Sequence, residues 1–151
     1  RFIEHMPLDA DHTWARDTMV TAAEVLELLS ESFELQATSG RNHAPAEEFV
    51  VLDGPGSQNW AAGEHRLGII ASVTRPFCRD CDRLRLTADG QLRTCLFAHH
   101  ETDLRAALRS GATDSEIAEL ITLAVAAKPQ AHGIDRPGFT QPLRPMSAIG
   151  G

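Results

Sequence analysis

Phe77-Cys78-Arg79-Asp80-Cys81-Asp82-Arg83-Leu84-Arg85-Leu86-Thr87-Ala88-Asp89-Gly90-Gln91-Leu92-Arg93-Thr94-Cys95-Leu96-Phe97 is the stretch on which the fold turns. With Gly90 in the left-handed region, Ala88-Asp89-Gly90 makes a three-residue hairpin loop. Thr87 then falls opposite Gln91, Arg85 opposite Arg93, and Arg83 opposite Cys95. One face carries Arg83, Arg85, Arg93 and Cys95, and the other Leu84, Leu86, Leu92 and Leu96. That segregation is what a half-buried hairpin requires. A two-residue Asp-Gly loop would mix Arg93 and Cys95 with the leucines, which selects against it.

The cysteines follow the spacing Cys78-x2-Cys81-x13-Cys95. Three is an odd number, and so tight a grouping in a chain of this length is not a disulfide framework. Two thiolates separated by two residues grip one metal or one edge of a cluster, and a third returning on the partner strand completes three ligands. Structural zinc takes four ligands, so three leave an open position. A [4Fe-4S] cluster normally takes four thiolates, so three leave one iron open to another ligand. A zinc module with His99, His100 or His132 as fourth ligand is the alternative, although most of the seven histidines are expected at the surface or in core hydrogen bonds. Arg83, Arg85 and Arg93 on one face would repel one another without anionic partners. Thiolates supply some negative charge, and a carboxylate or phosphate-bearing ligand would supply more. Arg75 and Arg79 add to the local basic density.

The chain of 151 residues, 42% of them hydrophobic, suffices for a compact unit with a true core. A formal net charge of -7 argues against a general nucleic-acid surface while leaving room for a local anion site. No run of about 18 apolar residues is present to span a membrane, and no signal-peptide pattern opens the chain. A cytoplasmic protein is the expectation. Arg1-Phe-Ile-Glu-His-Met-Pro7 opens on an extended apolar segment without an initiator Met, which reads as a piece cut from a longer polypeptide.

Outward from the hairpin, residues 1 to 6 read as a strand stopped by Pro7, and 8 to 20 as a loop in which Asp9, Asp11, His12 and Trp14 are surface residues or a site wall. Thr21-x-x-Glu24 is a capping box that opens a helix to about residue 31. Residues 33 to 36 extend that helix or form an edge strand. A loop from 38 to 47 leads to a strand over 48 to 52, a turn at Asp53-Gly-Pro-Gly56 and a strand over 67 to 73. Beyond the hairpin come a short helix over 103 to 109 and a second capping box, Thr113-x-x-Glu116. The latter opens an amphipathic helix to about Lys128 with Ile117, Leu120, Ile121, Ala124 and Val125 on one side. The proline-rich tail from Pro129 is an extended wrap or a mobile arm.

Three segments in order carry a family resemblance. The stretch Phe77 to Phe97 resembles the C-terminal cluster motif of the MoaA family, the radical S-adenosylmethionine GTP 3',8-cyclases of molybdenum cofactor biosynthesis. Arg1 to Pro7 looks like that family's last barrel strand, and Arg144-Pro-Met-Ser-Ala-Ile-Gly-Gly151 like its Gly-Gly tail. Asp82 departs from the asparagine of many relatives, a change that keeps size and adds charge.

The resemblance implies an α+β fold. Residues 1–47 would be the end of an incomplete radical SAM (β/α)6 barrel, with its last strand, a loop and a helix. Residues 48–151 would be the auxiliary-cluster and substrate-binding domain with an antiparallel hairpin and packed helices. It implies that Cys78, Cys81 and Cys95 hold an auxiliary [4Fe-4S] cluster whose open iron receives GTP. Arg83 and Arg85 would lie near the nucleotide, and Gly150 and Gly151 would reach into the active site. A second [4Fe-4S] cluster and S-adenosylmethionine would be bound by an N-terminal CxxxCxxC motif. That motif does not occur here, so this chain by itself is not expected to cyclise GTP. The expected partners are GTP and the missing N-terminal barrel. Strand edges exposed by the missing part invite a homo-oligomer, and neither nucleic acid nor membrane is expected. The rival memberships are another radical SAM enzyme with an auxiliary cluster and the zinc module.

Overall fold

The computed structural model describes residues 1–40, 44–60, 65–134 and 136–149. It is an α+β protein whose chain divides into two compact units, one of residues 1–6 and 15–81, the other of 7–14 and 82–151.

The first unit is a four-stranded sheet carrying one helix. Its strands are β1 (Phe2–Ile3), β2 (Glu34–Ala37), β3 (Glu47–Asp53) and β4 (Arg66–Ile70), in the order β1-β4-β3-β2. β1 runs parallel to β4, with Phe2 opposite Ile69, whereas β3 is antiparallel to both β2 and β4. Residues 34–37 are therefore the edge strand of the two alternatives open in the sequence. Helix α1 (Ala22–Ser30) starts at the expected capping box, Thr21 Oγ1 accepting from the Glu24 N–H while Glu24 accepts from the Thr21 N–H. Ala22, Phe49, Ile69 and Ala71 form the core of this unit, with Val25, Leu26, Leu35 and Leu67 packed against it.

Two strands are shorter than their apolar runs suggest, and one residue explains both. β4 stops at Ile70 because the N–H groups of Val73 and Thr74 turn to the carboxylate of Glu4, at 2.8 and 2.9 Å. The same carboxylate receives the Ala22 N–H at 2.8 Å and the Thr74 hydroxyl at 2.6 Å. The backbone N–H of Glu4 still bonds Ile70, so the chain stays aligned beyond β1 while the side chain stitches α1 to the turn after β4. Glu4 is only 4% exposed. Burial pushes its carboxyl up, and the hydrogen bonds from Thr74, Ala22 and Val73 outweigh that push and hold it below the ordinary value.

The second unit is built on the hairpin. β5 (Arg85–Leu86) and β6 (Gln91–Arg93) pair with Arg85 opposite Arg93 and Leu86 opposite Leu92. The Thr87 N–H bonds the Gln91 carbonyl, and Gly90 has φ +81°. The three-residue loop is thus as expected. The ladder ends at the Arg85–Arg93 pair, without reaching Arg83 and Cys95. A third strand, β7 (Thr102–Asp103), pairs antiparallel with β6. Asp103 then caps helix α2 (Leu104–Arg109), accepting from Ala106 N–H at 2.8 Å. Helix α3 (Asp114–Ala126) begins at the Thr113–Glu116 capping box and packs on β6 and β7.

The tail from Pro129 is a wrap. Pro142 and Ile149 are fully buried, the Gln141 amide donates to the Asp9 carbonyl at 2.6 Å, and the Met146 N–H donates to the Leu8 carbonyl at 2.9 Å.

Gly90 meets two demands at once. Its φ lies where L-residues are strained, and its carbonyl takes the N–H groups of Leu104 and Arg105, so α2 sits hard against it. A Cβ there would lie 2.5 Å from the Cβ of Arg105. Gly90→Ala is therefore expected to destabilise the protein by about 2–4 kcal/mol, summing left-handed strain and overpacking. Urea denaturation measures it, and a loss under about 1 kcal/mol, less than the strain alone, would show the contact relaxes freely.

Candidate functional site

Cys78 and Cys81 sit on one tight 3-10 turn that closes the first unit: Cys78–Asp80 is the turn, and the Cys81 N–H bonds the Cys78 carbonyl at 3.3 Å. Cys95 belongs to the second unit, just past β6. All three are partly accessible and none is in a disulfide. The Cys95 sulfur accepts the backbone N–H of Phe97 at 3.4 Å. Cysteine sulfur is the ligand type that iron–sulfur groups take. The donor set therefore fits a thiolate-bound iron–sulfur group in its chemistry. Among the described residues, no group of three or more His, Cys, Asp or Glu side chains is gathered to hold a metal ion.

The face assignment of the hairpin needs correcting. Leu92 is buried, but Leu84 and Leu86 are 41% and 63% exposed. Arg83 and Arg85 are half-buried instead. The Arg83 carbonyl accepts from the Lys128 ammonium at 3.2 Å, which ties the C-terminal end of α3 to the start of the hairpin.

Arg93 is the larger correction. Expected beside Cys95 as part of a ligand-facing cationic row, it is 3% exposed and committed to structure. One guanidinium nitrogen pairs with Glu101, and another donates to the carbonyls of Leu96 and Ala98 at 3.1 and 2.6 Å. These bonds fix the turn that carries Cys95. The Nε of Arg93 is buried without a partner among the described residues. The charge compensation sought in a ligand thus comes, for this arginine, from Glu101. Arg75, also counted toward the basic density, pairs with Glu47 at 2.9 Å.

Glu101 is shared. Its Oε1 also receives the Nε of Arg144 at 2.7 Å, and Arg144 makes a two-pronged contact with Asp89 at 2.7 and 3.3 Å. Asp89 further accepts the Thr87 hydroxyl at 2.5 Å. The Arg144 hydrogen bonds, followed by that of Thr87, hold the Asp89 carboxyl at about 2. Glu101 gave no signal in sequence, and Arg144 entered only as the first residue of the tail stretch, because the pairing of each is set by partners brought by the fold. Arg144 lies 55 residues from Asp89.

The histidines considered as fourth ligands lie together. Cys95, His99, His100 and His132 line one cleft of about 420 Å³ in the second unit. His132 has another occupation there: its ring packs on Phe97 at 4.8 Å and its Nδ1 accepts the Ile134 N–H at 3.2 Å. His99 Nε2 lies 3.4 Å from the Thr140 hydroxyl. Gly150 and Gly151 lie outside the described residues. No helix among the described residues is long and apolar enough to cross a membrane.

Known proteins match this chain over its whole length. A protein named GTP 3',8-cyclase from Streptomyces coelicolor is 59% identical over 153 aligned positions that cover all of this chain and 42% of the relative. Proteins of the same name from Rhodococcus opacus and Mycolicibacterium smegmatis are 55% and 53% identical, each with 41% of its length covered. The chain therefore spans about two fifths of the curated relatives it matches. A family model described as Molybdenum Cofactor Synthesis C matches residues 1–134, which takes in β1, the cysteine turn, the hairpin and all three helices; the chain belongs to that family.

Proposed function

We propose that this chain is the substrate-binding C-terminal part of a GTP 3',8-cyclase, the radical SAM lyase that converts GTP to (8S)-3',8-cyclo-7,8-dihydroguanosine 5'-triphosphate in molybdenum cofactor biosynthesis. The carrying observation is the 59% identity to a protein of that name across the entire chain. In this reading residues 1–47 end a radical SAM barrel and 48–151 form the auxiliary-cluster domain, with β4 joined to β1 across that boundary. The upstream part supplies the barrel, a second [4Fe-4S] cluster and S-adenosylmethionine, and the enzyme works in the cytoplasm.

Cys78, Cys81 and Cys95 hold the auxiliary [4Fe-4S] cluster. Their freedom from disulfides, their partial accessibility and the N–H donor on the Cys95 sulfur support this role. When bound, such a cluster offers a Lewis-acidic iron to a guanine heteroatom. The chain's own contribution is cationic and steric. Arg83 and Arg85 bring guanidinium groups whose planar donors match phosphate oxygens. Arg93 is held away from that task by Glu101, so the nucleotide contacts are assigned to Arg83 and Arg85 alone. Gly150 and Gly151 approach the reacting ribose closely because they have no side chains.

The test is made on the full-length polypeptide, anaerobically reconstituted with iron and sulfide and supplied with GTP, S-adenosylmethionine and reductant. The cyclised nucleotide is the expected product, and a fully loaded protein that consumes S-adenosylmethionine without forming it would sink the reading. Arg83→Ala is expected to weaken GTP binding by about 10- to 100-fold, the scale of one lost charge-assisted hydrogen bond. Equilibrium binding measures this with cluster content held equal.

A further inference from the structure

Four charged side chains in the second unit form an unbroken linear chain: Arg93 to Glu101, Glu101 to Arg144, Arg144 to Asp89. Two positive and two negative charges make it neutral, so it has no net charge with which to draw an anionic ligand. Its members come from the hairpin loop (Asp89), β6 (Arg93), the segment before β7 (Glu101) and the tail (Arg144). The Arg93 end is deeply buried, whereas Arg144 is 29% exposed and Asp89 42%. Partly exposed ion pairs of this kind contribute little net stability. What a guanidinium held on two carboxylates provides is geometry, because its donors are coplanar and fixed in direction.

That geometry bears on one segment. Past Arg144 the chain runs through Pro145 into a single 3-10 turn, Met146–Ala148, and then to Ile149, which is 1% exposed. Among the described residues, one backbone hydrogen bond ties that segment to the rest of the unit, from the Met146 N–H to the Leu8 carbonyl at 2.9 Å. A slip of one residue would withdraw Ile149 from its socket and move everything after it by a full residue length, about 3.3–3.6 Å. Arg144 meets two carboxylates on two different elements, and no slipped register satisfies both.

We infer that Arg144 is a positioning residue: clamped between Asp89 and Glu101, it sets the register in which the tail leaves the domain. This rests on the proposed function for its consequence, since Gly150 and Gly151, which that reading places in the active site, follow next in the sequence. The arginine touches no substrate in this role. Lysine cannot replace it, because one ammonium is a point charge and cannot span two carboxylates with coplanar donors.

The experiment uses the full-length polypeptide with Arg144→Ala, Arg144→Lys and Asp89→Asn. Hydrogen exchange at the amides of Met146, Ala148 and Ile149 is expected to speed up in all three variants, most in Arg144→Ala, with the helices unaffected. Cyclisation kcat is expected to fall by about 10- to 100-fold, the scale of misplacing a group by about 1 Å. KM for GTP and iron content stay at the parent values. Unchanged exchange over residues 146–149 in Arg144→Ala would overturn the clamp. So would uniform acceleration across α2 and α3, which marks a purely structural residue, or a raised KM at unchanged kcat, which marks a contact with GTP. Because exchange needs no turnover, it decides on the clamp even if the parent protein fails to cyclise GTP, a result that would count against the proposed function alone.

Discussion

On the proposed function, replacing Cys78, Cys81 or Cys95 by alanine, one at a time in the full-length polypeptide, is expected to remove one of two [4Fe-4S] clusters outright and to abolish cyclisation. Bound iron and sulfide should fall by half and the visible iron–sulfur absorption with them. The all-or-none character follows from the ligand count. Three thiolates are fewer than the four such a cluster normally takes, and they are all the cysteines of this chain, so it has no spare thiolate to absorb the loss of one. Of the histidines near Cys95, His132 is already engaged by Phe97 and by the Ile134 N–H. The fold should survive, because the thiols are partly accessible and none contributes to the core of the first unit. Far-ultraviolet circular dichroism checks that. A parent protein that holds one tight zinc per chain at these residues, and never a second cluster, would overturn the assignment in favour of a zinc module.

What the sequence disclosed and what it hid divide along a physical line. Local chemistry was legible. Both capping boxes form as read, and Gly90 takes the left-handed conformation that the three-residue loop demands. The Arg85–Arg93 register follows from that loop. These features depend on residues a few positions apart. Features set by distant partners were not legible. β7 is two residues long and gains strand character only from β6. Arg93 looks like its neighbours Arg83 and Arg85 until the turn after Cys95 brings Glu101 back to it. Leu84 and Leu86 alternate correctly for burial yet remain exposed, because α2 and α3 pack chiefly on β6. The tail's two readings, wrap or arm, could be separated only by seeing Leu8 and Asp9 receive it.

Glu4 is the residue whose loss should cost the fold most. In sequence it is one acid in an apolar strand, but in the fold its two oxygens satisfy four donors from two segments, at 2.6 to 2.9 Å. Glu4→Ala strands the N–H groups of Ala22, Val73 and Thr74, and is expected to lower the unfolding free energy of the first unit by about 3–5 kcal/mol. Glu4→Gln should cost less, about 1–3 kcal/mol. Its carbonyl can still serve Val73 and Thr74, and the Thr74 hydroxyl can turn to accept from the amide, which leaves only the Ala22 N–H facing a donor. The pair also separates charge from shape through pH. Against the upward push of burial, the hydrogen bonds from Thr74, Ala22 and Val73 hold the folded pKa of Glu4 below the ordinary glutamate value. A depressed carboxyl contributes stability that is fully present above the unfolded value and disappears as pH falls through the folded one. The gap between the parent and Glu4→Gln should therefore be constant above about pH 5 and close as pH falls below the unfolded carboxyl value. Other depressed carboxyls, Asp53 and Glu24 among them, weaken both proteins alike and cancel in the difference. Urea denaturation followed by Trp60 fluorescence in a Trp14→Phe background reports the first unit. A gap that stays constant into acid would mean that Glu4 acts through shape and hydrogen-bond count, with no contribution from its charge.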